Sequence, residues 1–281
     1  MIVCGTDFSP QAERAIHVAS ALARSLEEPL ALVHAFDIQS SEKVLAAAQD
    51  VLLETVREDL LREAERVRAL GVEVRHELLL ARPDEGLVGF AERNGATMVV
   101  VSAIGWRSAE RFSLGSVAER TVQFSSHPVL VVRDEKPFLQ WMEGERSLRV
   151  IVAMTFTETS DHAIRWFSTL RRVGEVEAAA AHVFWPPDLD DESADPAAAA
   201  QQKMREMEQR LHELGEESMG VEVIMNASSP AVALLDVAAQ NKADLLVIGE
   251  RKRRQRTVLW QGSIPYSLLH LAPMSVAIVP V

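Results

Sequence analysis

Cysteine is all but missing from this chain. Cys4 is the single one in 281 residues, so no internal disulfide can form, and a reducing cytoplasm is the expected setting. Its place in the apolar run Ile2-Val3-Cys4 reads as a buried, inert thiol. Long hydrophobic runs are missing too. None reaches the roughly 18 residues that spanning a bilayer needs, and no basic region followed by a long apolar segment opens the chain, so neither a membrane protein nor a secretory signal is expected. Positive charge is short: 29 Lys and Arg against 41 Asp and Glu leave a formal net charge of -12. That balance argues against general affinity for nucleic acid or anionic membranes. The eight histidines include no close pair of the H-x3-H type, so a structural zinc site is not expected. No G-x-S-x-G elbow, Walker A motif or dinucleotide G-x-G-x-x-G occurs.

What is present is globular. Hydrophobic content is 48% and charged content 25%, and the length suits one large domain or two ordinary ones. An internal repeat decides between them. Thr6-Asp7-Phe8-Ser9 answers to Met154-Thr155-Phe156-Thr157, with Thr155 148 residues beyond Asp7. Leu32-Val33-His34 answers to Ala180-Ala181-His182 at the same offset. Ala81-Arg82-Pro83 answers to Ser228-Ser229-Pro230, and Gly115-Ser116 to Gly262-Ser263, both 147 residues on. The expected domains are residues 1–133 and 148–281, joined by 134–147. The join has linker composition, but Phe138, Leu139, Trp141 and Met142 suit packing on one domain, which makes it semi-rigid. Pro186 to Pro196, rich in Asp and Glu, reads as a solvated loop.

Each half alternates strands and helices. In the first, Ile2–Gly5, Pro29–Phe36, Gly71–Leu80, Met98–Val101 and Val129–Val132 read as strands. Ser9 caps a helix with Pro10 in its first position. Ser41–Leu70, Pro83–Asn94 and Ser116–Ser125 complete the helices. This order predicts the α/β class: two tandem open parallel-sheet sandwich domains, Rossmann-like, each with both faces covered. Ligands in such sheets sit beyond the carboxyl ends of the strands, where Asp7, His34, Ala35, Ser102 and Gly105 fall. His34 and His182, ending apolar strands, read as strand-end histidines with satisfied partners rather than as ligands.

Both halves then carry the same motif. Ser102-x2-Gly105-x9-Gly115-Ser116 follows the apolar Met98–Val101, and Gly249-x2-Lys252-x9-Gly262-Ser263 follows Leu245–Ile248. A strand feeding a glycine-bearing loop and then a helix start can cradle phosphate, because the first helical N–H groups are unpaired and the dipole favours an anion. With Thr6-Asp7-Phe8-Ser9 and His34, this motif resembles the universal stress protein family, whose pattern is G-x2-G-x9-G followed by Ser or Thr. The likeness is to the tandem kind, over nearly all of both halves.

The resemblance implies a bound adenine nucleotide, ATP, with a divalent metal such as Mg2+ on its phosphates. Asp7 would take the ribose, with Thr6 beside it among the cofactor-binding residues, main-chain atoms of Ala35 the adenine, and Ser102, Gly105, Gly115 and Ser116 the phosphates. Ser102 replaces a family glycine, a mild change unless the position needs a positive φ, and Ala81 replaces another before Pro83. The second half keeps Gly249, Gly262 and Ser263. It has Thr155 in place of the aspartate and Lys252 in place of a glycine, where the side chain either blocks the phosphates or meets them as a point charge. The basic run 251–256 reads either as a phosphate site or as a solvated loop. Trp106 and Trp260 either cover a base or anchor a loop.

The expectation is therefore a cytoplasmic stress-response protein. Its first domain binds ATP and its second is a degenerate structural or regulatory copy. No evident general base lies near the loop, so binding is expected rather than catalysis, with hydrolysis slow at most. The two domains are expected to form an internal pseudo-twofold dimer through Val129–Val132 and Val276–Val279, with a further homodimer possible and no nucleic-acid or membrane partner. The alternative is a protein-interaction module that binds no nucleotide.

Overall fold

The sheet is parallel because every strand is separated from the next by a helix. The structure is a computed structural model, and it describes residues 1–37, 46–105, 114–184, 196–225, 229–251 and 262–281. The chain divides into two units, Met1–Met142 and Glu143–Val281.

In unit one the order is β1 (Ile2–Gly5), α1 (Pro10–Leu26), β2 (Leu30–Ala35), α2 (Ala46–Ala69), β3 (Val74–Leu79), α3 (Pro83–Arg93), β4 (Met98–Ser102), α4 (Ser116–Phe124), β5 (Val129–Val132) and α5 (Lys136–Met142). The strands lie in the order β3-β2-β1-β4-β5, all parallel. Val129, Leu130, Val131 and Val132 are all buried. Successive strand residues face opposite sides, so β5 is covered on both. Cys4 is buried in β1, and burial alone pushes its thiol up to about 12. Ser9 caps α1, accepting from the Ala12 N–H at 3.1 Å, with Pro10 opening the helix.

The joining segment is more ordered than its composition announces. Lys136–Met142 is the helix α5, which packs on α1 with Phe138 and Trp141 each 1% exposed. Asp134 starts it, its carboxylate accepting from the Lys136 N–H at 3.1 Å.

Unit two repeats the order with β6 (Leu148–Ala153), α6 (Glu158–Leu170), β7 (Val176–Phe184), α7 (Pro196–Glu213), β8 (Gly220–Met225), α8 (Pro230–Gln240), β9 (Leu245–Glu250), α9 (Ile264–Leu271) and β10 (Ser275–Pro280). Its strands run β10-β9-β6-β7-β8, again parallel. In each unit the first strand sits between the second and the fourth. The strand order reverses there, which opens a crevice at the carboxyl ends. Among the described residues no helix is long and apolar enough to cross a membrane.

Candidate functional site

The turn after β1 is built by its own side chains. The Thr6 Oγ1 accepts from the Phe8 N–H at 3.1 Å, and the Asp7 carboxylate accepts from the Ser9 N–H at 3.0 Å. These bonds hold Phe8 in the left-handed region at φ 60, a conformation that costs a bulky residue of order 1–3 kcal/mol. Its ring stacks on His34 with centroids 4.7 Å apart. The His34 Nδ1 donates to the Thr6 carbonyl at 2.8 Å, which leaves Nε2 as the acceptor. Burial lowers the His34 pKa from its ordinary 6.5, against the opposing pull of the Thr6 carbonyl and the Asp7 charge. The same device recurs in unit two: Phe156 has φ 54, and the His182 Nδ1 donates to the Met154 carbonyl at 2.8 Å. Both histidines are thus strand-end groups with satisfied main-chain partners.

Beyond the turn lies a cavity of about 910 Å³. Thr6, Asp7, Ala35, Ser102, Gly105, Gly115 and Ser116 all line it. Ala35 belongs there because the strand register leaves it open. The Val33 carbonyl accepts from the Thr6 N–H at 3.0 Å. Two residues on, Ala35 turns its main chain the same way, past the end of β1. Ser102 is the last residue of β4 and lies outside the positive-φ set, so serine stands there without strain. Gly105 sits against the aspartate: a Cβ on it would lie 2.3 Å from the Asp7 Oδ2. Gly115 is the N-cap of α4, at φ -72 and ψ 143, and among the described residues no side chain caps this helix. The Gly115 N–H donates to the Ala103 carbonyl at 2.7 Å, and the first helical bond runs from the Glu119 N–H to the Gly115 carbonyl at 3.0 Å. The N–H groups of Ser116, Val117 and Ala118 lie between those two bonds, at the cavity wall.

Unit two has a cavity of about 1030 Å³ at the equivalent strand ends, lined by Thr155, Phe156, His182, Phe184, Leu234 and Ile248 among others. Its chemistry differs. The Thr155 hydroxyl shares a hydrogen bond with that of Thr157 at 2.8 Å, and Thr157 with Thr159 at 2.5 Å. The Lys203 ammonium lies 5.0 Å from the Phe156 ring centroid and pairs with Glu206 at 2.6 Å. Gly249, Gly262 and Ser263 do not line this cavity. A Cβ on Gly249 would lie 2.0 Å from the Thr159 carbonyl oxygen, so this glycine admits the first turn of α6. Gly262 turns the chain at φ 88, and the Ser263 Oγ caps its own helix by accepting from the Tyr266 N–H at 3.3 Å. Lys252, Trp106, Trp260 and the loop 186–195 lie outside the described residues, as does the basic run beyond Arg251.

The sequence model of the universal stress protein family matches residues 1–133 and 147–280. The chain belongs to the universal stress protein family. Universal stress protein MJ0531 of Methanocaldococcus jannaschii is 29% identical over 140 residues, 48% of this chain and 82% of the relative. A universal stress protein from Archaeoglobus fulgidus superposes with a TM-score of 0.74 at 20% identity, covering 99% of this chain and 97% of its own. A universal stress protein solved in complex with cAMP matches 47% of this chain and 94% of its own at 28% identity, with a TM-score of 0.39. The tandem arrangement is thus two universal stress domains in one polypeptide.

Three residues at the first cavity had no sequence signal. Arg82, Asp84 and Arg120 line it alongside the glycine loop. Arg82 and Asp84 flank the start of α3 and Arg120 lies on α4, and the packing of α3 on α4 brings them together. A spacing of this length in a single sequence carries no information.

Proposed function

We propose that the protein is a stress-response nucleotide binder whose first unit takes one adenine nucleotide, ATP foremost. The reading rests on one arrangement. The Asp7 carboxylate, oriented by the Ser9 N–H, stands against Gly105 in a cavity that ends at the uncapped start of α4. A carboxylate can accept from ribose hydroxyls, the Ala35 main chain can meet an adenine edge, and N–H groups at a helix start suit phosphate. Magnesium would arrive on the triphosphate; among the described residues no group of three or more His, Cys, Asp and Glu is placed to hold a metal. The role is binding rather than catalysis.

The second unit serves as a structural or regulatory copy. Three features support this reading: threonine hydroxyls stand in place of the carboxylate, Gly249 is occupied by α6, and α9 caps itself with Ser263. Cytoplasmic residence follows as part of the same proposal.

Calorimetric titration of ATP into nucleotide-stripped protein tests both halves of the reading. A stoichiometry near one, lost in Asp7→Ala and in Gly115→Val with the fold retained, is the expected outcome. A stoichiometry near two refutes the degenerate second unit. No binding refutes the nucleotide reading and leaves the interaction module.

A further inference from the structure

We propose that Arg82 and Arg120, held by the buried carboxylate of Asp84, form an anion-binding pair for the nucleotide's phosphate tail, so that affinity rises with phosphate number and persists without divalent metal. The proposal rests on the nucleotide reading of unit one.

Asp84 is the second residue of α3, where the helix dipole favours an acid, and its side chain is only 6% exposed. A buried carboxylate of this kind needs positive charge nearby. It draws on two guanidinium groups: the Arg82 Nη2 is 3.6 Å from Asp84 Oδ1 and the Arg120 Nη1 is 3.9 Å from the same oxygen. The other Arg82 nitrogen, Nη1, is 3.6 Å from Glu85. These separations allow attraction but exceed a hydrogen bond. Among the described residues neither guanidinium donates a hydrogen bond to protein. Each therefore keeps its five-donor fork for another acceptor.

The direction of that fork matters. Arg120 is four residues past Ser116, on the same face of α4, and helical side chains lean towards the N-terminus. Its charge is carried back towards the uncapped N–H groups. The start of α3 borders the carboxyl end of β2, because a Cβ on Gly86 would lie 3.3 Å from the Ala35 Cβ. Both arginines line the same cavity as Asp7 and Gly105. Phosphate oxygens can take a guanidinium fork bidentately, and a guanidinium stays charged at any working pH. Two such groups supply the countercharge that a metal ion would otherwise bring. Asp84 touches no ligand in this scheme; it is a positioning residue.

The test compares ATP, ADP and AMP binding to the parent chain and to Arg82→Gln and Arg120→Gln, each with Mg2+ and with EDTA. Both variants change exposed side chains, and thermal melts check that they fold. The parent is expected to rank ATP above ADP above AMP and to keep its ATP affinity within about threefold in EDTA. Each variant is expected to lose about tenfold or more for ATP, the scale of a hydrogen bond to a charged group, and far less for AMP. Equal losses for ATP and AMP, no loss at all, or abolition by EDTA would overturn the pair. If the parent binds no nucleotide, the reading of unit one falls, and inorganic tripolyphosphate decides the arginines alone. Binding that the double variant loses sustains them, and no binding removes them.

Discussion

A methyl group added to Gly249, the first position of the motif in unit two, meets a different obstacle from one added to Gly105, the second position in unit one. At Gly249 the added Cβ would stand 2.0 Å from the Thr159 carbonyl oxygen, 2.5 Å from its carbon and 3.2 Å from the Ser160 nitrogen. All three are main-chain atoms in the first turn of α6, so no rotamer change can relieve the overlap. That turn is tied down independently: the Ser160 hydroxyl accepts from the Thr157 N–H at 3.2 Å and donates to the Thr157 carbonyl at 2.8 Å. Gly249→Ala must therefore push α6 away from β9 by roughly 1 Å, and overpacking of this kind typically costs about 1–3 kcal/mol. At about 2–4 °C per kcal/mol for a domain of this size, the melting temperature of unit two should fall by roughly 2–12 °C. Differential scanning calorimetry reads the shift, and an ATP titration on the same preparation should give the parent's affinity. A melt within about 1 °C of the parent would refute the argument, since α6 would then not rest on Gly249.

Gly105→Ala should do the reverse. Its Cβ would lie 2.3 Å from the tip of a side chain, the Asp7 Oδ2, which can rotate away. The melt should barely move, while ATP affinity in titration falls about 10–100-fold, the worth of a charged hydrogen bond to the ribose; unchanged affinity would remove Asp7 from the site. His34 gives a pH signature. Its folded pKa lies below its ordinary 6.5, so in mild acid the unfolded chain takes up a proton that the folded chain refuses. Its contribution is complete above pH 6.5 and is lost as pH falls through the folded value. Melts between pH 7 and pH 5 should show the parent losing more stability than His34→Gln; parallel curves would assign the loss to other groups.

The repeat made the architecture readable, because a nearly fixed offset aligns Asp7 with Thr155 and Gly115 with Gly262. The alternation of apolar runs with helical spacing then sufficed for a parallel sheet in each unit. The helix α5 was hidden because Asp134, Glu135 and Lys136 carry linker composition, and only its contact with α1 explains the buried Trp141. The role of Gly249 was hidden for another reason. A glycine in a loop pattern signals close approach, not what approaches, and here an added Cβ would meet the Thr159 main chain. The left-handed Phe8 and Phe156 were equally illegible, since nothing about phenylalanine announces a positive φ; the turn bonds around Thr6 and Asp7 impose it in unit one. The Arg82–Asp84–Arg120 cluster needs the packing of α3 on α4, which no local pattern records.

The placing of β1 between β2 and β4 also governs how unit one is assembled on the ribosome. Ile2 pairs with Leu30 on one side and with Met98 on the other. The first pairing is available early. The second waits for a partner about a hundred residues further along, which at ~5–20 residues per second takes about 5–20 s to synthesise. Until then one edge of β1 is unpaired, and the turn carrying Asp7 has no glycine loop opposite it. A nascent chain released before β4 would carry Thr6, Asp7 and Ala35 without Gly105 or Ser116, and so half a cavity. The candidate site is thus a late product of synthesis, and its completion coincides with the closing of the sheet it stands on.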